Sequence, residues 1–167
     1  AIVALFGLHQ LVQAQTSSFN TWEQPQYEAA NTAKGIGYIS ADEQEVIRLL
    51  NLARINPQLF AETYLEHYQV VLSDSILILV EQILLNSEPM PPLVPNYALC
   101  KSAAIEAYSI SAGTSPTINP ADRIHRYLPG AYNYGSHYLS NVNSPIEVAL
   151  LLLANQSNGY QRSLLDA

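Results

Sequence analysis

The residues of this chain that could carry chemistry are few and widely separated. Its histidines and its single cysteine are His9, His67, Cys100, His125 and His137. Zinc sites usually appear in a sequence as local pairs such as His-x-x-x-His or as Cys/His clusters, and neither pattern occurs here. A folded site combining His137 with Glu106 or Glu147 is the remaining metal hypothesis, but we favour His137 as a half-buried strand residue. We therefore expect no metal and no cofactor.

Nucleophilic catalysis is not indicated either. It requires a Ser, Cys or Thr activated by a base, and no Gly-x-Ser-x-Gly elbow is present. Ser136 and His137 are sequence neighbours, and neighbouring side chains of a strand point to opposite faces unless the backbone bulges. A glycosidase would need two inward carboxylates, and the fourteen acidic residues form no motif. We predict no catalytic residue.

Composition and charge set the broad class. The 167 residues are 49% hydrophobic and 13% charged, which is typical of one globular domain with a substantial core. The formal net charge is −7, and the seven Lys and Arg residues form no cluster. Nucleic acids and anionic membranes require concentrated positive charge, so the sequence argues against both as partners.

The first residues predict export. Residues 1–14 hold an apolar run that ends in Val12-Gln13-Ala14, which suits a signal-peptidase site after Ala14, although the basic n-region is missing. A short buried helix is the alternative. Residues 15–37 are rich in polar residues and indicate a flexible leader. Because Ile76–Val80 is too short to span a bilayer, we expect a secreted or cell-surface protein without a transmembrane span. A lone Cys100 can form no internal disulfide, and we expect it to be buried.

Helix signals dominate the rest of the chain. Ser40 with Glu43 and Ser144 with Glu147 form capping boxes, and Asn-Pro pairs mark further helix starts. The apolar spacing then predicts helices near residues 41–54, 57–67, 75–86, 97–111, 120–127 and 145–155, with a strand near 132–139. For Ile76–Val80 the β-branched residues leave a strand open as the alternative.

Three stretches carry a family resemblance. They are Leu50-Asn51-x-Ala53-Arg54-x-Asn56-Pro57, then Pro91-Pro92-Leu93, and finally Tyr134-Gly135-x-x-Tyr138 followed by Ser144-Pro145-x-Glu147-Val148 and Ser157-x-Gly159-x-x-x-x-Leu164-Leu165. In this order they resemble a bacterial CAP domain, the family of cysteine-rich secretory proteins, antigen 5 and pathogenesis-related proteins. The resemblance implies an α+β, helix-dominated fold over residues 38–167, a partial α-β-α sandwich that lacks its C-terminal strands.

At the positions that match the family's usual site, this chain has different residues. Members place a Glu and a His in one cavity, where this chain has Ser136 and Tyr160, and a further family His would fall near 113–115, where there is none. Hydroxyl groups hold divalent ions poorly. We therefore expect a secreted, non-catalytic CAP-like domain that binds a surface component, lipid or protein. The alternatives are a hydrolase or metal-dependent enzyme with a site rebuilt around His137 and Tyr160, and a degenerate domain without activity.

Overall fold

A computed structural model describes residues 21–65, 72–114, 119–130, 137–142 and 144–155 of the chain. The regular elements of these residues are helices. In chain order they are α1 (Gln24–Ala30), α2 (Ala41–Ile55), α3 (Pro57–Phe60), a π-helical turn (Ala61–Leu65), α4 (Asp74–Leu85), α5 (Tyr97–Ser111), α6 (Pro120–Tyr127) and α7 (Pro145–Ala154).

The helix starts follow the capping signals of the sequence. At α2 the Ser40 hydroxyl accepts the Glu43 amide N–H at 3.2 Å, and the Glu43 carboxylate accepts the Ser40 amide N–H at 2.6 Å. The side chains of Asn56, Asn96, Asn119 and Ser144 accept amide bonds in the same way at α3, α5, α6 and α7. Each cap satisfies donors that a helix cannot pair internally, and most of the predicted helices are confirmed.

The core lies where α2, α4 and α7 meet. Its largest fully buried apolar side chains come from these helices and from α3: Leu52, Phe60, Val80, Leu84, Leu150 and Leu153. Removing such a side chain from water contributes about 1.5–3 kcal/mol each. The helix α1 packs against α2 through Ala30.

A buried amide ties two loops to this core. Asn51 on α2 has no exposed surface. Its Nδ2 donates to the Ala30 carbonyl at 3.0 Å, to the Thr32 hydroxyl at 2.9 Å and to the Leu93 carbonyl at 3.1 Å, while its Oδ1 accepts the Leu93 amide at 2.6 Å. One turn later, Arg54 donates from Nε to the Pro91 carbonyl at 2.8 Å, and its own carbonyl accepts the Met90 amide at 2.7 Å. The proline-rich segment before α5 is thereby fixed to α2.

The helix α5 packs against α6, with a polar contact between them. Arg123 of α6 is buried, donates from Nε to the Ser102 hydroxyl at 3.0 Å, and forms an ion pair with Glu106. A second contact joins this pair to the start of α2, because the Tyr38 ring meets the Tyr97 ring edge-on with centroids 5.2 Å apart.

The predicted fold class is wrong for the described residues. A partial α-β-α sandwich requires a sheet, but their regular structure is helical and contains no strand. Of the predicted strand 132–139, residues 132–136 lie outside the described ranges, and residues 137–139 form no ladder. The Tyr-rich pattern favours extended backbone, but a strand exists only when a neighbouring strand pairs with its N–H and C=O groups.

Two local expectations also differ from the structure. The helix predicted over 57–67 begins at Pro57 but changes to a π-helical turn at Ala61, and residues 66 and 67 are not described. Within the region interpreted as a flexible leader, Gln24–Ala30 is helical, with Pro25 in its first turn and Ala30 buried. The signal peptide predicted for residues 1–14 lies outside the described residues.

None of the helices in the described part of the chain is both long and apolar enough to cross a bilayer.

Candidate functional site

The residues singled out from the sequence do not form a site in the described structure. Ser136 and Tyr160 lie outside the described residues. The His137 side chain is exposed rather than half-buried, and it belongs to no strand. Glu106, its suggested partner, is ion-paired with Arg123 instead. Across the described ranges, no three His, Cys, Asp or Glu side chains lie close enough together to hold a metal ion.

Cys100 is less buried than the sequence predicts. Its side chain is half-buried in α5 rather than fully enclosed. Burial is the main cause that raises the pKa of its thiol, and the nearby negative charge of Glu43 raises it further. The thiolate, which is the reactive form, is therefore disfavoured at neutral pH.

A surface depression near the start of the described chain offers a more coherent set of groups. It has a volume of about 310 Å³ and lies between the start of α1 and the α3–π-turn region. Its lining consists almost wholly of polar side chains: Thr21, Glu23, Gln26, Asn56, Gln58, Leu59 and Glu62. We call this the polar depression.

Hydrogen bonds at two helix starts hold the two amide side chains that flank the polar depression. Asn56 ends α2 and caps α3, and its Oδ1 accepts the Leu59 amide N–H at 3.1 Å. On the opposite side, the Gln26 Oε1 accepts the Glu23 amide N–H at 3.0 Å. Both amide oxygens are therefore committed to helix starts. Each amide nitrogen supplies two N–H donors that a ligand can use.

The π-helical turn anchors the N-terminal wall of the depression. Trp22 donates from its indole Nε1 to the Thr63 hydroxyl at 2.9 Å, and that hydroxyl donates to the Leu59 carbonyl at 2.7 Å. The chain around Trp22 is thus linked to α3 through a residue of the π turn. Short π-helical segments occur often at functional sites, where they change the direction of side chains.

An aromatic cluster formed by Trp22, Tyr27, Phe60 and Tyr64 supports this wall. The Trp22 ring lies 6.0 Å from Tyr27 and 6.5 Å from Tyr64, and Phe60 stacks on Tyr64 at 4.7 Å between ring centroids. Such ring pairs contribute about 0.5–1.5 kcal/mol beyond their burial. The cluster packs the chain next to Thr21 and Glu23 against the residues that follow α2.

The charges behind the cluster are neutralised. The Arg48 guanidinium pairs with the Glu45 carboxylate, lies 5.9 Å from the centre of the Tyr27 ring, and has a raised pKa chiefly because of its hydrogen bond with Glu45. Burial raises the pKa of the Tyr64 phenol, with Arg48 acting in the opposite direction. Tyr64 is therefore protonated at neutral pH and is not prepared to act as a base.

The arrangement is suited to hydrogen bonding rather than to covalent chemistry. The Asn56, Gln26 and Gln58 amides donate, the Glu23 and Glu62 carboxylates accept, and the Thr21 hydroxyl can do both. Leu59 offers one apolar contact. The lining contains no serine, cysteine or histidine, and its one hydroxyl is that of Thr21.

Sequence reasoning missed this site because its two halves lie at least 30 positions apart and no short motif covers both. Two features were nevertheless visible. The only tryptophan of the chain falls in the polar region 15–37, and Asn56-Pro57 marks a break between helices. A tryptophan is seldom left in a flexible segment, since its large apolar surface favours packing.

Comparison with known proteins gives no neighbour. No protein-family model matches the chain, and no curated protein or solved structure shows significant similarity to it. The CAP resemblance stays a prediction.

Proposed function

We propose that this chain is a secreted, non-catalytic, CAP-like domain that binds a neutral, hydroxyl-rich surface component, such as a glycan, in the polar depression. The single observation that supports the proposal is the lining itself, in which amide donors and carboxylate acceptors occur side by side. A sugar hydroxyl both donates and accepts, so it can pair with both kinds of group.

The lining also argues against the other ligand classes. A lipid chain in the depression would place apolar surface against polar amides and carboxylates and remove water from them, which is unfavourable. An anionic ligand would meet Glu23 and Glu62, two groups of the same sign. A neutral polyol avoids both costs.

The size of the site fits a small part of a larger molecule. Ligand pockets typically measure about 300–1,000 Å³, and a volume of about 310 Å³ lies at the lower end of that range. A stable protein partner would instead need about 800 Å² of surface on each side. We therefore expect recognition of a few sugar units of a longer chain, with modest affinity.

The test is a titration of the protein with neutral tetrasaccharides, cellotetraose and N-acetylchitotetraose, followed by amide NMR. We expect dissociation constants between about 10 μM and 1 mM and shifts confined to residues 21–26 and 56–62. Replacing Gln58 with Ala removes one hydrogen-bonding group and should weaken binding about threefold to tenfold.

Gln82→Ala is the matched control, because Gln82 is an exposed glutamine on α4 outside the depression. Absence of binding by either sugar, or equal loss in the Gln58 and Gln82 variants, would reject the proposal. Release of shorter sugars during the titration, abolished by His137→Ala, would favour the enzyme alternative instead.

Export is a separate part of the proposal. If residues 1–14 are a signal peptide, mass spectrometry of exported protein should find Gln15 at the mature N-terminus. An intact segment 1–14 on exported protein would contradict it.

A further inference from the structure

The two walls of the polar depression belong to parts of the chain that lie far apart in sequence. Thr21 and Glu23 precede α1, whereas Gln58 and Glu62 belong to α3 and the π turn. The helix α1 packs chiefly against α2. This packing leaves the position of the residues before α1 to other contacts.

A hydrogen-bond relay joins these two walls. The Trp22 indole donates to the Thr63 hydroxyl at 2.9 Å, across 41 positions of the sequence, and that hydroxyl donates to the Leu59 carbonyl at 2.7 Å. The direction of both bonds is fixed, because an indole N–H can only donate and a carbonyl can only accept. The Thr63 hydroxyl therefore directs its proton to α3 and a lone pair to Trp22. We call these two bonds the Trp22 relay.

The side chains of Trp22 and Thr63 lie beside the lining of the depression. Trp22 lies between Thr21 and Glu23 in the sequence, and Thr63 directly follows Glu62. These three neighbours line the depression, whereas the partly buried Trp22 and Thr63 are not among its lining residues. A substitution at Thr63 therefore removes no hydrogen-bonding group from the lining. An effect of that substitution on binding reflects where the lining residues lie.

The Trp22 indole depends on this acceptor. Its ring packs between Tyr27 and Tyr64, with centroids 6.0 Å and 6.5 Å away. Burying an N–H donor without a partner is unfavourable, so the ring packing and the bond to Thr63 favour the same position of Trp22. Thr63→Val keeps the shape of the side chain, removes the acceptor and leaves Trp22 held by packing alone.

We propose that Thr63 is a positioning residue of the glycan site, which holds the segment before α1 against α3 through Trp22. This role rests on the proposed function, because it concerns the same depression. A sugar that bonds to both walls at once needs their donors and acceptors at a set separation. Its affinity falls when binding itself must order the two walls.

NMR of the Trp22 indole tests the relay without a ligand. The full chain has one tryptophan and therefore gives one indole N–H signal. Thr63→Val should speed hydrogen exchange of this N–H about threefold to tenfold, because its acceptor is lost. Thr63→Ser keeps a hydroxyl and should restore the protection. Equal exchange in the wild-type and Thr63→Val proteins would overturn the proposal.

Titration with N-acetylchitotetraose and cellotetraose tests the positioning role. Thr63→Val should raise the dissociation constant about threefold to tenfold, and Thr63→Ser should return it close to the wild-type value. Thr32→Val is the matched control. The Thr32 hydroxyl likewise accepts a side-chain N–H, from Asn51 at 2.9 Å, and donates to a carbonyl, that of Leu93 at 2.6 Å, but it lies outside the lining. This control should lower stability and leave the dissociation constant unchanged.

The outcomes separate this role from the proposed function. Absence of binding by the wild-type chain rejects the proposed function and the positioning role with it. Wild-type binding that Thr63→Val leaves unchanged, or an equal loss in the Thr63→Val and Thr32→Val variants, overturns the positioning role alone. If Thr63→Val does not fold, Trp22→Phe removes the donor of the same bond and keeps an aromatic ring. It should weaken binding by a similar factor, and wild-type affinity in that variant would overturn the role as well.

Discussion

The helices α7 and α5 are both apolar and low in charge, but they occupy opposite environments. Ile146, Ala149, Leu150 and Leu153 of α7 are buried, whereas α5 buries Ser102 alone. The helix α7 lies between α2 and α4, while α5 packs mainly on the short α6. Apolar composition therefore indicates that a helix can be buried, and the position of its neighbours decides whether it is.

Polar contacts show the same contrast. In the core, Asn51 uses both ends of its amide to join α2 to two loops. In the α5–α6 pair, the described contacts of the Arg123 side chain join those two helices. The first contact joins α2 to two other segments, one of them 42 residues away at Leu93, whereas the second joins two helices. We therefore expect loss of the first to affect the whole domain.

The largest expected effect is a difference in stability between a variant of α7 and a variant of α5. Leu150→Ala in α7 deletes a side chain that is 1% exposed and should lower the free energy of unfolding by about 2–5 kcal/mol. Tyr108→Ala in α5 should change it by less than about 0.5 kcal/mol. Urea unfolding measures both. Similar losses for the two variants would mean that α5 belongs to the core.

A smaller loss is expected from the buried amide. Asn51→Ala leaves the Leu93 amide and the carbonyls of Ala30 and Leu93 without their partner, and should cost about 1–3 kcal/mol. Asn86→Ala is the control, because Asn86 is exposed and its side chain makes only a local bond to the Gln82 carbonyl. If the free energy of unfolding falls by the same amount in both variants, the Asn51 amide does not join the loops to α2.

The smallest effect concerns pH. The folded-state pKa of Tyr64 is raised above its ordinary value of 10.0, mainly by burial. The unfolded chain therefore loses that proton first, and stability is complete below about pH 10 and falls as the pH rises through the raised folded value. Tyr64→Phe should flatten this decline between pH 9 and 11 in denaturant titrations.

Tyr108→Phe serves as its control because that ring is exposed. If stability declines as steeply with pH in the Tyr64→Phe variant as in the wild-type protein, burial of this phenol does not contribute to alkaline instability.

The sequence predicted what is local. The start of α2 at Ala41 and of α7 at Pro145 follow from Ser-x-x-Glu caps, since a cap depends on four consecutive residues. The helix α1 was not expected, because its apolar period is short and its burial depends on α2. The π turn after Phe60 was not visible either, as the residues of 61–65 suit an ordinary helix equally well.

Long-range features could not be predicted in this way. The polar depression joins positions near 21–26 to positions near 56–62, and the Asn51 contact reaches Leu93, 42 residues away. A predicted strand near 132–139 failed where it is described for the same reason, since strand formation depends on a partner elsewhere in the chain. Of the sequence-predicted site residues, Ser136 and Tyr160 lie outside the described ranges, and His137 is exposed.

The bonds from Asn51 and Arg54 to residues 90–93 have a consequence for proteolysis and hydrogen exchange. This segment has no secondary structure, and a loop of that kind is usually cut by proteases and exchanges its amides quickly. Here the Met90 and Leu93 amides are bonded to two residues one turn apart on α2. Both amides should exchange only when α2 itself opens, so an irregular stretch of chain should report the global unfolding of the domain.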